Sequence, residues 1–313
     1  MQAGRMQVFP TTMRRIAVLK GGLSRERAVS LASGAACAAA LRQAGFEAIE
    51  VDVGRDVAAR LQAIAPDACF NALHGPLGED GSIQGLLNIL GIPYTHSGVA
   101  ASSLAMDKAR TKSLVQPLGI PVPQGRRIGR AEFWAAPPPA PFVLKPVGDG
   151  SSIDIFVVRG PAALPFAPGH WPFPGEALLE DFVAGKELTV TVLDDRPLAV
   201  TEIVLPDRRP GGFFDFAAKY TPNGARHVLP AGIARPIHDR CLDQALAVHR
   251  ALGCRGLSRS DFILCERTGE PVFLEINTQP GMTPTSLAPE QALHAGIGFP
   301  ALVTRLVALA TVD

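Results

Sequence analysis

The first hundred residues alternate short apolar-rich runs with longer helix-patterned stretches, and this alternation restricts the fold more than any other feature of the chain. Residues 16–19, 48–53 and 68–73 are strand-length, while 30–44, 57–64 and 83–90 read as helices. Gly45 closes the first helix, and Gly91 with Pro93 stops the last. Strands joined through helices make a mostly parallel sheet covered on both faces, so the class is α/β with a doubly wound parallel-sheet domain over residues 14–97.

Beyond it the pattern changes. A helix is expected over 106–118. Extended segments follow near Val122 and over 142–145, 153–158 and 177–182, with proline-rich connections at 137–141 and 161–174. Strands at 187–193 and 198–205 precede a polar stretch, 206–226, that is too long for an ordinary connection and reads as a lid loop. A helix at 237–252, strands at 256–265 and 271–277 and a closing helix at 300–310 complete the chain. Residues 1–13 read as a flexible tail, with Met1, Met6 or Met13 as the start.

Composition excludes several classes. With 47% hydrophobic and 19% charged residues the chain is globular, and a net charge of +1 offers no bulk field for nucleic acid or an anionic membrane. No apolar run reaches the ~20 residues of a membrane span. Cys37, Cys69, Cys241, Cys254 and Cys265 lack metal-site spacing and read as reduced core thiols of a cytoplasmic protein.

One hairpin carries a chemical signature. Residues 257–264 and 271–277 flank a polar turn containing Gly269. Centred on Thr268, the hairpin sets Asp261 opposite Glu275 and Arg259 opposite Asn277, all four on one face. The other face would carry Phe262, Leu264, Val272, Leu274 and Ile276 as core. Opposed Cβ atoms lie about 4.5–5.5 Å apart, so the two carboxylates call for a cation between them. Their oxygen-only donor set suits Mg²⁺ completed by phosphate and water. Arg259 alongside would receive an anion.

Only six of the 30 basic residues are lysine, which makes each lysine informative. Lys145 ends the apolar run 142–145 ahead of a small flexible loop, Gly148-Asp-Gly-Ser-Ser152, whose backbone N–H groups would suit a phosphate cradle. Lys108 sits in Met106-Asp-Lys-Ala-Arg-Thr-Lys112, where a solvated helix face would equally explain it. The segment 178–183 with Glu187 suits an adenine edge and a ribose.

These pieces occur in the order found in D-alanine–D-alanine ligases. The chain resembles that family through Gly21-Gly-Leu-Ser-Arg-Glu-Arg-Ala-Val-Ser30, Ala72-Leu-His-Gly75 with Gly78-Glu-Asp-Gly81, and Gly98 to Lys108. The likeness continues through Val143-Leu-Lys-Pro146 with Gly150-Ser-Ser152, Asp215-Phe-Ala-Ala-Lys-Tyr220, Arg259-Ser-Asp261 and Glu275-Ile-Asn-Thr-Gln-Pro-Gly-Met-Thr283.

The resemblance implies a two-part ATP-grasp fold after the first domain, with a central subdomain over 98–183 and a C-terminal one over 184–313. It also implies ATP-dependent joining of two D-alanines through an acyl phosphate, for peptidoglycan precursor synthesis. By that likeness Glu26 holds the first substrate's ammonium, and Ser151 and Tyr220 form a triad with it. Lys108, Lys145, Ser152 and Lys219 hold phosphates, and Glu180, Val183 and Glu187 hold adenine and ribose. Asp261, Glu275 and Asn277 bind Mg²⁺, which Mn²⁺ could replace, and a monovalent cation could assist. Arg259 and the N–H near Gly281 stabilise the oxyanion, Ser286 and Leu287 receive the second carboxylate, and His74 lies beside that substrate.

A homodimer follows from the resemblance too. Ala217, Gly148, Asp181 and Gln279 depart from the commoner pattern, which bears on lid ordering and nucleotide affinity. Two alternatives stand: a ligase making the D-alanyl–D-lactate ester, against which Tyr220 argues, and an inactive ATP-grasp regulator.

Overall fold

A computed structural model of the chain describes residues 13–148, 154–160, 166–167, 169–205 and 224–313. The strands β1 (Arg15–Lys20), β2 (Glu47–Asp52) and β3 (Ala68–Asn71) form a parallel sheet in the order β2-β1-β3. Helices α1 (Arg27–Gln43), α2 (Val57–Ile64) and α3 (Ser82–Leu90) complete this first unit. Alternation along β1 divides its side chains between two cores. Ile16 and Val18 pack with Cys37 and Leu41 of α1, while Ala17 and Leu19 pack with Leu61 and Leu87 of α2 and α3. The expected parallel sheet with two covered faces is present.

Two short helices follow, α4 (Val99–Met106) and α5 (Lys108–Val115). The single helix expected over 106–118 is interrupted at its start, because Asp107 adopts φ −88°, ψ 95°. Its side chain accepts from the Arg110 N–H, a cap that begins α5 afresh. Helix α4 gives little sequence signal, since its buried side is made of Ala101, Ser102 and Ala105.

A second sheet contains β4 (Gly125–Ile128), β5 (Phe142–Pro146), β6 (Phe156–Val158) and β7 (Ala177–Asp181) in the order β4-β7-β5-β6, all antiparallel. The edge strand starts at Gly125 rather than near Val122. Helix α6 (Arg130–Ala135), unforeseen in the sequence, puts Phe133 into an aromatic core with Phe142 and Trp171.

The third sheet joins β8 (Gly185–Leu193), β9 (Arg196–Val204), β10 (Arg226–Val228), β11 (Leu257–Cys265) and β12 (Pro271–Asn277) in the order β10-β9-β8-β11-β12. Arg226, read as the end of the lid, opens β10 instead. Helix α7 (Arg235–Ala251) covers one face through Cys241, Ala245 and Val248. The chain then adds α8 (Leu287–His294) and α9 (Phe299–Ala308), and α9 returns to the first sheet, where Leu302, Val303 and Leu306 share the core of Ile16 and Val18.

The hairpin β11–β12 corrects one expectation. Asp261 faces Glu275 and Arg259 faces Asn277 as the spacing predicts, but the register slips between Asp261 and Phe262. From there Phe262 faces Phe273 and Ile263 faces Val272, so Leu274 is an extra residue on β12. The bulge turns Phe273 into the core beside Phe262. Leu274, assigned to the core by strict alternation, lines the opposite cleft instead.

All five cysteines are free thiols. Burial pushes Cys69, Cys241 and Cys254 up to about 12, which keeps them protonated and unreactive. Among the described residues no helix is long and apolar enough to cross a membrane.

Candidate functional site

The second and third sheets face each other across a cleft with an empty volume of about 840 Å³. Val143, Ile155, Val157, Phe182, Ile203 and Leu274 give it apolar walls, and Lys145, Glu180, Asp261 and Glu275 line it with charge. Val183 and Glu187 line the same cleft. Apolar walls beside a charged region suit a ligand with one flat apolar part and one anionic part, such as a nucleotide.

Strand alternation delivers the charged groups. Lys145 leaves β5 and reaches Glu180 on the neighbouring β7, Nζ to Oε2 2.8 Å. Lys112 of α5 pairs with the same carboxylate from its other oxygen. All three side chains are buried, so one carboxylate faces two ammonium groups away from water. Desolvation and the charge of Lys145 drive Lys112 down to about 7, against the pull of Glu180. Lys145 is also desolvated, yet Glu180 and Glu275 together hold it above its ordinary value. Glu180 is held below its own by the two lysines, which outweigh its burial.

The sequence motifs mark Lys108 and Lys145 but not Lys112. The available signal was spacing: Lys108 and Lys112 are four apart on α5 and share its buried side.

At the hairpin, each carboxylate has its own cation. The Arg259 guanidinium grips Asp261 with Nε to Oδ1 at 2.9 Å and Nη2 to Oδ2 at 2.8 Å. Thr189, on β8, donates its hydroxyl to Asp261 Oδ1 at 2.6 Å. Lys108 lies 3.4 Å from Glu275 Oε2. The repulsion expected between Asp261 and Glu275 is thus offset within the protein. Asn277 Oδ1 accepts from the Gln279 N–H at 2.7 Å, which fixes the amide and leaves the carbonyl a second lone pair.

Among the described residues no three His, Cys, Asp or Glu side chains gather into a closed cage. Two carboxylates and one amide opening on a cleft fit a cation that keeps water and phosphate ligands, as Mg²⁺ does.

A second cluster sits at the mouth of the first domain. Glu26 is buried at the start of α1, beside the turn after β3. Gly75 has φ +72°, and a Cβ there would come within 2.5 Å of Glu26 Oε2. His74 is buried, with Nδ1 2.9 Å from Glu79 Oε1 and Nε2 3.3 Å from Ser33 Oγ. Ser33 also accepts from the Met282 N–H at 3.3 Å, joining this cluster to the loop that follows β12. Gln279 reinforces the junction: its Oε1 accepts from Asn71 at 3.0 Å and its Nε2 donates to the Leu73 carbonyl at 2.8 Å. Arg25 reaches Asp154 at 2.8 Å, which sets Asp154 beside the turn that carries Glu26.

Gly281 lies over Ser286, since a Cβ there would meet Ser286 Oγ at 3.1 Å. That hydroxyl bonds Thr283 Oγ1 at 2.7 Å and accepts from the Thr283 N–H at 3.1 Å. Leu287 begins α8 and packs on Ile203. The structure therefore brings Lys108, Lys145, Glu180, Val183, Glu187, Arg259, Asp261, Glu275 and Asn277 around one cleft, with Glu26, His74, Gly281, Ser286 and Leu287 in the adjoining loops and helix starts. Ser151, Ser152, Lys219 and Tyr220 lie outside the described residues.

Two antiparallel sheets clasping a nucleotide-shaped cleft behind a parallel-sheet domain define an ATP-grasp protein. Comparison with known proteins narrows the class. The family models described as D-ala D-ala ligase C-terminus and N-terminus match residues 114–308 and 55–97. The D-alanine–D-alanine ligase of Acidiphilium cryptum is 52% identical over 94% of this chain and 98% of its own length. That of Gluconobacter oxydans is also 52% identical over the same shares. The crystal structure of the Bacillus anthracis D-alanine–D-alanine ligase complexed with ATP superposes with a TM-score of 0.78 at 28% identity, covering 96% of this chain and 97% of that one. VanG D-Ala:D-Ser ligase from Enterococcus faecalis superposes at 0.76 with 30% identity, over 95% and 99%. The chain belongs to the D-alanine–D-alanine ligase family.

Proposed function

We propose that this protein joins two D-alanines into D-alanyl-D-alanine at the expense of ATP, releasing ADP and phosphate, for peptidoglycan precursor synthesis. The observation that carries this reading is the pairing of Asp261 with Glu275 on the wall of an apolar cleft that also presents Lys145. A cation held there alongside nucleotide phosphates would neutralise their charge. The near-full-length identity to named D-alanine–D-alanine ligases supplies the substrate.

In this reading Lys108, Lys145 and the Ser152 and Lys219 groups grip the phosphates, and Glu180, Val183 and Glu187 hold adenine and ribose. Asp261, Glu275 and Asn277 are the Mg²⁺ ligands. Glu26 binds the donor's ammonium, leaving its carboxylate to take the γ-phosphoryl group. Ser151 and Tyr220 support Glu26.

The acceptor's carboxylate rests at Ser286 and Leu287, and its amine attacks the acyl phosphate carbonyl. Arg259 and the N–H near Gly281 stabilise the oxyanion, a contribution made chiefly in the transition state. With Glu79 accepting from Nδ1, Nε2 of a neutral His74 is an acceptor that meets Ser33 Oγ at 3.3 Å, and this pair holds the ring beside the acceptor substrate. Phosphate then departs as the amide forms. A homodimer in the cytoplasm completes the proposal, carried by family resemblance.

The test is product analysis after incubation with ATP, Mg²⁺ and racemic alanine. The expected product is the D,D-dipeptide, with one ADP and one phosphate per bond and no turnover on L-alanine alone. ATP hydrolysis indifferent to alanine would overturn the proposal, and an ester formed when D-lactate competes would redirect it.

A further inference from the structure

Ser286 and Leu287 stand at the head of α8, and one buried side chain ties this helix to the sheet beneath. Gln291 is fully buried. Its Oε1 accepts from the backbone N–H of Thr191 at 2.8 Å, and its Nε2 donates to the Thr189 carbonyl at 3.1 Å and to Thr201 Oγ1 at 2.9 Å.

The contacts fall at an irregularity in the sheet. Between β8 and β9 the register shifts, with Val190 facing Val200 and Val192 facing Pro197, so Thr191 has no single residue opposite. The glutamine carbonyl offers the acceptor that β9 fails to supply opposite Thr191, and its N–H adds a bond to the carbonyl of Thr189, which stays in register with Thr201. An apolar side chain of the same length would fill the space but leave the Thr191 N–H unpaired.

The anchor point matters for the chemistry. Thr189, gripped through its carbonyl, is the residue whose hydroxyl donates to Asp261 Oδ1. Gln291 lies five residues from Ser286, about 7.5 Å along a helix axis. The acceptor end of α8 and a candidate metal carboxylate are therefore referenced to the same residue of β8.

We infer that Gln291 is a positioning residue for the amide-forming step, setting the acceptor's amine against the acyl phosphate by clamping α8 to β8. This rests on the reading above that Ser286 and Leu287 receive the acceptor's carboxylate. Gln291 holds Thr189 by its carbonyl, whereas Asp261 is held by the hydroxyl of the same residue through a separate bond, so loss of the clamp should fall on acceptor placement rather than on donor phosphorylation.

The prediction separates the two steps. In Gln291→Met the acyl phosphate forms at its usual rate but waits for its acceptor, and part of it returns to ATP. Scrambling of ¹⁸O between the β,γ-bridging and non-bridging positions of ATP reports that return. We expect the ratio of scrambling to dipeptide formation to rise roughly 10–10²-fold in Gln291→Met, the scale of a displacement of about 1 Å. Thr201→Val, which removes one partner and leaves the amide and helix in place, should raise the ratio in the same direction by less. A parallel fall of scrambling and dipeptide in both variants, or an unchanged ratio, would overturn the inference. Wild-type protein giving neither signal with D-alanine would instead remove the functional reading on which it rests.

Discussion

Replacing Lys112 with methionine removes a buried charge for which the surrounding fold supplies only half a partner. Glu180 carries one negative charge against Lys112 and Lys145, and its contact with Lys145 at 2.8 Å remains when Lys112 is gone. The lowering of Lys112 from 10.5 to about 7 corresponds to a penalty of about 5 kcal/mol on its charged form. Methionine keeps most of the volume without the charge. That penalty is already net of the pull of Glu180, and methionine forgoes the hydrogen bonding of the neutral amine, so the gain is smaller, on the order of 1–4 kcal/mol, the range seen when whole buried ion pairs give way to apolar side chains.

The pH dependence follows from proton counting. The unfolded lysine holds its proton up to pH near 10.5, whereas the folded one releases it near 7. Between those values the unfolded state binds more protons, so wild-type stability rises with pH from this group. Methionine contributes no such slope. Urea denaturation of the ligand-free protein should show Lys112→Met more stable than wild type at pH 6, with the advantage shrinking by pH 9. A variant less stable by about 3–5 kcal/mol at pH 6, as expected for breaking a well-compensated buried pair, with no trend in pH, would refute the reasoning.

Arg259→Ala should lower kcat by roughly 10²–10³-fold at saturating Mg²⁺, the usual cost of one oxyanion donor, and an unchanged rate would reduce Arg259 to a partner of Asp261. Gly75→Ala places a methyl 2.5 Å from Glu26 Oε2 at φ +72°, so the apparent KM for D-alanine should rise by about tenfold or more as the carboxylate is displaced; steady-state kinetics with an unaltered KM would exclude Glu26 from donor binding. Chelation of divalent metal should abolish turnover and added Mg²⁺ restore it, while activity persisting in excess chelator would rule out the magnesium–phosphate arrangement.

The two-core division of β1 was legible because Ile16, Ala17, Val18 and Leu19 need cover on both sides, which only flanking helices supply. The register of the hairpin was legible at its functional end, since Arg259, Asp261, Glu275 and Asn277 must share a face. Nearer the turn it was not. Phe273 and Leu274 are both apolar, so nothing in the sequence shows which one enters the core when a residue is inserted. Helix α4 escaped because alanine and serine give it no apolar stripe, and Asp107 hid the break before α5.

Lys112, Thr189 and Gln291 acquire their meaning from partners 68, 72 and 100 residues away. No local pattern encodes such a meeting. The family resemblance supplied Glu26, Ser286 and Leu287, which spacing alone would have left as ordinary loop and helix-end residues.

Binding of Mn²⁺ to the protein in the presence of ATP, followed by electron paramagnetic resonance, reaches the heart of the account. Wild-type protein with nucleotide should hold the ion, and Glu275→Gln should weaken it by about tenfold or more, equivalent to at least ~1.4 kcal/mol. Equal affinity in the two proteins would mean that the face of β11 and β12 is not where the metal–nucleotide sits.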